Sequence, residues 1–225
     1  RDAGVFSDVA GYSGLMATFT MNGQAETVFG ELVTGNYFST LGVQPQRGRF
    51  FLSEEDRTPL THPVVVIGDA FWRRRFAADP NVVGGAITLN GRSYTVIGIA
   101  PAEFTGSLLR GFNVDVWAPV MMMAALRADQ LGNRGERWLF VKGRLKEGGT
   151  MTKATTAVNA SLMPIIDRYL ERFEQGVRAL GVPAVPRVMQ SNGGAVSPSA
   201  VRRMPVNTFF SGPAGGVIGT RGLGR

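Results

Sequence analysis

The sequence has no cysteine, which excludes disulfides, thiolate metal sites and cysteine nucleophiles and suits either the cytosol or an oxidising exterior. Histidine is almost as scarce. His62 stands alone, and one imidazole cannot build a multi-histidine metal centre. No serine or acid lies at a spacing from it that suggests a catalytic triad, and Pro63 behind it favours extended backbone. Long apolar runs are missing too. The longest, WAPVMMMAAL from Trp117 to Leu126, is about half of what a membrane span needs. No secretory leader pattern is visible, but the chain begins at Arg1 and not at Met, so it is expected to be a piece of a longer protein.

Acids thin out along the chain. Residues 1–150 carry 15 Lys/Arg against 14 Asp/Glu, whereas residues 151–225 carry 9 against 3. The basic residues of that last third are scattered, only Arg202 and Arg203 are adjacent, and few aromatics lie among them, so no nucleic-acid partner is expected. What remains is ordinary globular composition: 44% apolar and 18% charged over 225 residues, about one and a half average domains. The charge step marks a change of identity near position 150.

The front part reads as mixed strand and helix. AETVFGELVTGNYFSTLG alternates through Thr27, Phe29, Leu32 and Thr34 as a half-buried strand, then enters a short helix from Asn36 to Leu41 that stops at Gly42. In FLSEEDRTPL, Ser53 three residues before Asp56 suggests a capped turn with acids at its positive end. These acids could ligate a metal, but no other ligands converge nearby in sequence. HPVVVIGDAFWRRRF reads as a strand, Val64 to Ile67, covered on both faces, then a helix with Asp69 as N-cap. Arg73, Arg74 and Arg75 fan around that helix as surface side chains, with lipid head groups as the alternative partner.

AITLNGRSYTVIGIAP predicts a hairpin. Ile87 and Leu89 alternate with polar residues, Asn90-Gly91 supplies the two positive-φ positions of a type I′ turn, and Tyr94, Val96 and Ile97 lead back to Ile99. NVDVWAPVMMMAALRADQ predicts a strand ending at Pro119 and then a helix. Met121 to Met123 fill core, with a soft partner-binding surface as the alternative. RWLFVKGRL alternates again, with Trp138, Phe140 and Lys142 on one face. No acid, base and nucleophile come together in these 150 residues. The profile is that of a binding or force-transmitting domain, with no catalytic, cofactor-binding or metal residues to name.

Behind position 150, TTAVNASLMPIIDRYLERFEQGVRALG places Leu162, Ile165, Ile166, Tyr169, Phe173, Val177 and Leu180 at three- and four-residue steps. This spacing predicts a helix of about six turns from Thr155 that ends at Gly181. AVPRVMQSNGG reads as a short strand running into a loop. SGPAGGVIGTRGLG lacks the Gly-Lys-Ser/Thr of a Walker loop, so its small residues imply close backbone packing at a helix start.

Residues 5–150 carry a resemblance in several motifs: VFSDVAGY, GELVTGNYFSTLGVQPQRGRFFLSEEDR, HPVVVIGDAFWRRRFAADPNVVGGAITLNGRSYTVIGIAPAEFTG, VDVWAPVMM and RWLFVKGRLKEGGT. Together they resemble the periplasmic core domain of MacB-type ABC transporter permeases. The resemblance implies a non-catalytic extracytoplasmic α+β domain that relays motion to a partner or substrate. Its implied partners are the permease's membrane helices, a cytoplasmic ATPase module and an extracytoplasmic adaptor. The implied place is the outer face of a bacterial inner membrane.

Residues 154–225 resemble something else. TTAVNASLMPIIDRYL, VMQSNGG and RRMPVNTFFSGPAGGVIGT are similar to the hydantoinase/oxoprolinase A subunit, an ATP-dependent cyclic-amide hydrolase of the actin-like ATPase superfamily. That resemblance makes Gly212 to Gly219 a connecting helix. Both of that family's Asp-x-Gly-Gly-Thr phosphate motifs are missing here. They are expected upstream of Thr155 and beyond Arg225, and without them no Mg-ATP site is expected to form. This reading would place the protein in the cytoplasm.

The expectation is a fused α+β chain. Residues 1–150 form a MacB-like periplasmic core domain, and residues 151–225 a helix-strand-helix piece of an actin-like ATPase fold. The seam lies between Gly148 and Thr155, no cofactor is called for, and the two halves pack independently.

Overall fold

The computed structural model describes residues 4–107, 113–133, 138–181, 187–189 and 194–205. In chain order its elements are strands β1 (Phe6–Met21) and β2 (Gln24–Val33), helix α1 (Tyr37–Leu41), the two-residue strand β3 (Arg47–Gly48), strand β4 (Val64–Ile67) and helix α2 (Asp69–Phe76). Strands β5 (Ala86–Leu89), β6 (Arg92–Ile99) and β7 (Val116–Pro119), helix α3 (Met123–Leu126) and strand β8 (Phe140–Leu145) come next. Last are the long helix α4 (Met151–Ala179), the short strands β9 (Val188–Met189) and β10 (Ala195–Val196), and helix α5 (Pro198–Arg203). The fold is mixed α+β. The chain divides into a front unit, Asp8–Arg144, and a back unit that joins Arg1–Ser7 to Leu145–Arg225.

In the front unit six strands close into a ring. β1 pairs β2, β2 pairs β7, β7 pairs β4, β4 pairs β6, β6 pairs β5, and β5 returns to β1. Two of these pairings, β2 with β7 and β4 with β6, are parallel. β3 attaches to β6 and β8 to β1 outside the ring. Closure leaves the ring strands few free edges.

Two Asn-Gly turns set the registers. Asn90 and Gly91 take φ of 49° and 76° between β5 and β6, as the sequence predicts for a type I′ hairpin. Asn22 and Gly23, at 52° and 75°, make the same kind of turn between β1 and β2, whose pairing runs from Met21↔Gln24 to Tyr12↔Val33. The Asn90 side chain also ties its turn to neighbours: Oδ1 accepts from the Thr18 amide and Nδ2 donates to the Leu126 carbonyl.

Both faces of the central strands are covered. Val65 and Ile67 of β4, Val28 and Leu32 of β2, and Val116 and Ala118 of β7 face one core, with Phe19, Phe71, Trp72, Leu89, Tyr94, Met122 and Met123. Their alternate neighbours Val66, Val33 and Trp117 face a second core with Tyr37, Phe38, Phe51 and Ile97. A bulge makes this possible on β6. Val65 pairs Val96 but Val66 pairs Gly98, so one extra residue lets both Val96 and Ile99 reach the first core while Ile97 reaches the second. Met122 and Met123 fill core.

Two caps differ from their sequence reading. The helix after β4 has Gly68 as N-cap. Asp69 is its first residue and instead accepts from Arg73 Nε, four residues on. In the Ser53–Asp56 turn it is Glu55 that reaches back to the Leu52 amide at 2.8 Å, one residue ahead of the expected Ser53–Asp56 pair. Each of these carboxylates is also held by an arginine, Asp69 by Arg73 and Glu55 by Arg49, and charge-assisted bonds of this kind are the stronger ones.

In the back unit, α4 begins at Met151, four residues before the expected start. Thr150 caps it by accepting from the Lys153 amide, and the helix continues through Pro164 to Ala179. α5 packs on α4. Arg202 Nη2 meets Glu174 at 3.0 Å, Arg202 Nε lies 3.4 Å from Asp167, and Asn159 donates to the Met204 sulfur. Ala154, Asn159, Leu170 and Val201 are buried there. Ile165, Tyr169, Phe173 and Leu180, expected on the apolar stripe of the helix, are exposed. Gly212 to Gly219, the expected connecting helix, lies outside the described residues.

Candidate functional site

The site is built on an acid where the strand pattern calls for an apolar residue. Glu31 lies on β2 between Gly30 and Leu32 and is fully buried. Parallel pairing places it opposite Trp117 of β7. The indole Nε1 of Trp117 and the Tyr37 hydroxyl both donate to Glu31 Oε2 at 2.8 Å, and the Ser107 amide donates to Oε1 at 2.6 Å. The Tyr37 hydroxyl also contacts Ser107 Oγ at 2.6 Å. One carboxylate thereby fastens strand β7, helix α1 and the loop before β7. A buried charge is tolerated only when donors saturate it in this way.

The loop before β7 must pass close by. Gly106 has φ of 101°, and a Cβ there would overlap the Val114 side chain and come within 3.2 Å of Glu31 Oε1. Only glycine satisfies both demands.

Three further acids repeat the arrangement. Asp115 Oδ2 accepts from the Phe29 amide and Oδ1 from Arg74, while its carbonyl takes the Gly68 amide, so it joins β2, α2 and the end of β4. Asp56 accepts from the amides of Gly35 and Met121. Asp8 accepts from Asn36 Nδ2 and Thr40 Oγ1 and so holds both ends of α1. Burial raises the Asp56 carboxyl above its ordinary value against the pull of its amide donors. For Glu55, burial pushes up, but the Arg49 fork and the Leu52 amide outweigh it and hold the carboxyl low. The Tyr37 hydroxyl is pushed far up, first by burial and then by the charge of Glu31, so it stays a protonated donor.

Aromatic rings fill the space around these bonds. Phe38 stacks on Phe50 with centroids 3.7 Å apart and meets Phe104 and Trp117 edge-on at 5.7 Å. Beside this cluster a shallow groove of about 320 Å³ runs along Phe38, Val43, Pro45 and Phe50.

Chemically the arrangement positions its elements. Each of the four acids is engaged by donors, and among the described residues no cluster of three His, Asp or Glu side chains stands ready to hold a metal ion. His62 contacts Thr61 Oγ1. The three arginines of α2 reach three different acids: Arg73 to Asp69, Arg74 to Asp115 and Arg75 to Glu26. Of the four network acids the sequence reading names only Asp56, and there as part of a capped turn. The available signal was an acid inside an apolar strand segment, at Glu31 in FGELV and at Asp115 before VWAP.

The fold and its packed interior now stand beside known proteins. The MacB-like periplasmic core domain model matches residues 1–161. The chain belongs to the MacB-like periplasmic core domain family. A second model, hydantoinase/oxoprolinase, matches residues 152–225, so the two overlap inside α4 and the chain joins a MacB-like domain to a hydantoinase-like segment.

The MacB-like fold is matched by the periplasmic region of MacB from Actinobacillus actinomycetemcomitans. That structure has a TM-score of 0.54 at 14% identity over 72% of this chain and 68% of that one. The extracellular domain of the noncanonic ABC-type transporter YknZ from Gram-positive bacteria aligns with a TM-score of 0.48 at 12% identity over 68% of this chain and 70% of its own. At the hydantoinase-like end, caprolactamase subunit alpha of Pseudomonas jessenii is 43% identical over 61 residues, 27% of this chain. The chain spans 9% of that relative's length. Among the described residues, no helix is long and apolar enough to cross a membrane.

Proposed function

We propose that the MacB-like part is a non-catalytic extracytoplasmic module of an ABC-transporter-type permease, at the outer face of a bacterial inner membrane. It relays conformational change from membrane helices and an ATPase module to a partner or substrate outside. The observation that carries this reading is the Glu31 network. One saturated carboxylate fastens α1, the loop at Ser107 and β7, so displacement of one of them moves the others. A relay needs such stiffness, because soft connections absorb displacement locally.

Hydrogen exchange on the full chain tests it. The amides of Phe29, Ser107 and Asp115 should open together, at a common free energy set by the front unit. If Ser107 exchanges independently of the other two, the loop is not coupled and the relay is wrong.

A second reading rests on the hydantoinase-like match. Residues 151–225 are a piece of an ATP-dependent amidohydrolase of actin-like fold, here without its phosphate motifs. On this reading titration with Mg-ATP gives no heat, and micromolar affinity would show an intact nucleotide site.

The domain division at about 150 is likewise our proposal. Trypsin should cut at Lys146 or Lys153 and leave a stable front fragment. Resistance there at enzyme levels that cleave elsewhere would mean the halves fold as one.

A further inference from the structure

We propose that α4 presents an interfacial surface for an anionic lipid bilayer, formed by Ile165, Tyr169, Phe173 and Leu180 with Arg168 and Arg172. The inference concerns the back unit and stands whether or not the front unit relays motion. The four apolar side chains recur at four- and seven-residue steps and are 57%, 63%, 39% and 80% exposed. They form one stripe of about 22 Å at the rise of an α-helix. Tyr169 and Phe173 lie parallel with ring centroids 6.4 Å apart, so the stripe has a flat aromatic centre.

The carboxylates of the helix lie together on one side, joined there by Arg178, four residues beyond Glu174. Its three acids, Asp167, Glu171 and Glu174, all act on Arg202 of α5. Arg168 and Arg172, each three residues beyond a stripe member, stay exposed beside the apolar side chains. An apolar stripe rimmed by arginine, with its carboxylates drawn to the opposite face, matches the interior and the headgroups of an anionic membrane at once. A second copy of the helix fits less well: antiparallel pairing on this stripe would bring the arginine rims together.

Co-sedimentation of the full chain with phosphatidylcholine vesicles, with and without phosphatidylglycerol, tests this. Binding should require phosphatidylglycerol and fall with added salt. The variant R168Q/R172Q should partition about thirtyfold more weakly, from roughly 1 kcal/mol per arginine. Y169S/F173S should lose binding while its far-UV spectrum keeps the helix. Because the chain has no other thiol, a polarity-sensitive dye on Y169C reports insertion directly as a blue shift. No binding to either vesicle overturns the proposal. So does binding that neither variant weakens, or self-association in solution abolished by Y169S/F173S, which would make the stripe a protein interface.

Discussion

The two units bury different things. Between Asp8 and Arg144 the fully enclosed side chains include Trp117, Tyr37, Tyr94, Phe38 and Phe71, and acids sit among them with donors on each. Between Leu145 and Pro205 the described interior is small, Ala154, Asn159, Leu170, Pro198, Val201 and Pro205, while large apolar groups face outward. A ring of strands has an inside that sequence-distant residues must share. One long helix with one short helix against it has only a seam. The difference teaches that polar burial follows enclosure: a carboxylate such as Glu31 can be held at a core only where many elements converge to supply donors.

Substitutions can break this contrast, beginning with the strongest. Trp117→Ala removes the largest enclosed side chain and one donor to Glu31, and should cost the front unit about 3–5 kcal/mol by chemical denaturation. The helical signal of α4 should outlast that transition. Glu31→Leu should cost about 3 kcal/mol, because the Trp117 indole and Ser107 amide would lose their acceptor inside the protein. A near-neutral result would show that water reaches the cluster. Gly106→Ala should cost about 2 kcal/mol through its positive φ and the overlap with Val114, read as a lower thermal midpoint.

The Arg49–Glu55 pair gives a pH test. The folded carboxyl lies below its ordinary 4.5, so its stabilisation is present above that pH and is lost as pH falls through the folded value. Since Arg49 is 44% exposed, the pair is worth about 1 kcal/mol at most, and Glu55→Gln should flatten the acid limb of the stability curve by that amount. Smallest of all, Tyr169→Ser should change stability by no more than about 0.5 kcal/mol, because the side chain is mostly exposed already. A loss of several times that would mean the stripe is covered in solution.

Much of the front unit was legible because its signals are local. Asn90-Gly91 needs only neighbouring residues to declare a hairpin, Val64 to Ile67 declares a strand covered on both faces, and Gly42 ends α1 in the left-handed conformation read for it. β1 is legible only in retrospect. Asn22-Gly23 is as strong a turn signal as the other, but Gly11, Ser13 and Gly14 dilute the strand pattern before it. The Glu31 network was hidden for a different reason. Its bonds to Ser107 and Trp117 span 76 and 86 positions, and nothing local marks them. Along α4 the periodicity declared the helix, but it could not tell which apolar residues would find cover, since that depends on α5.

Both family matches run through α4, and this makes residue counting there unforgiving. Each residue added to a helix turns every later side chain by about 100°. One amino acid gained between Leu162 and Ile166 would rotate Glu174 away from Arg202 of α5 and turn the buried Leu170 and the aromatic stripe by the same angle. Wherever two ancestries are stitched within a single helix, the stitch has a phase, and only joins that keep that phase leave α5 a surface to dock on.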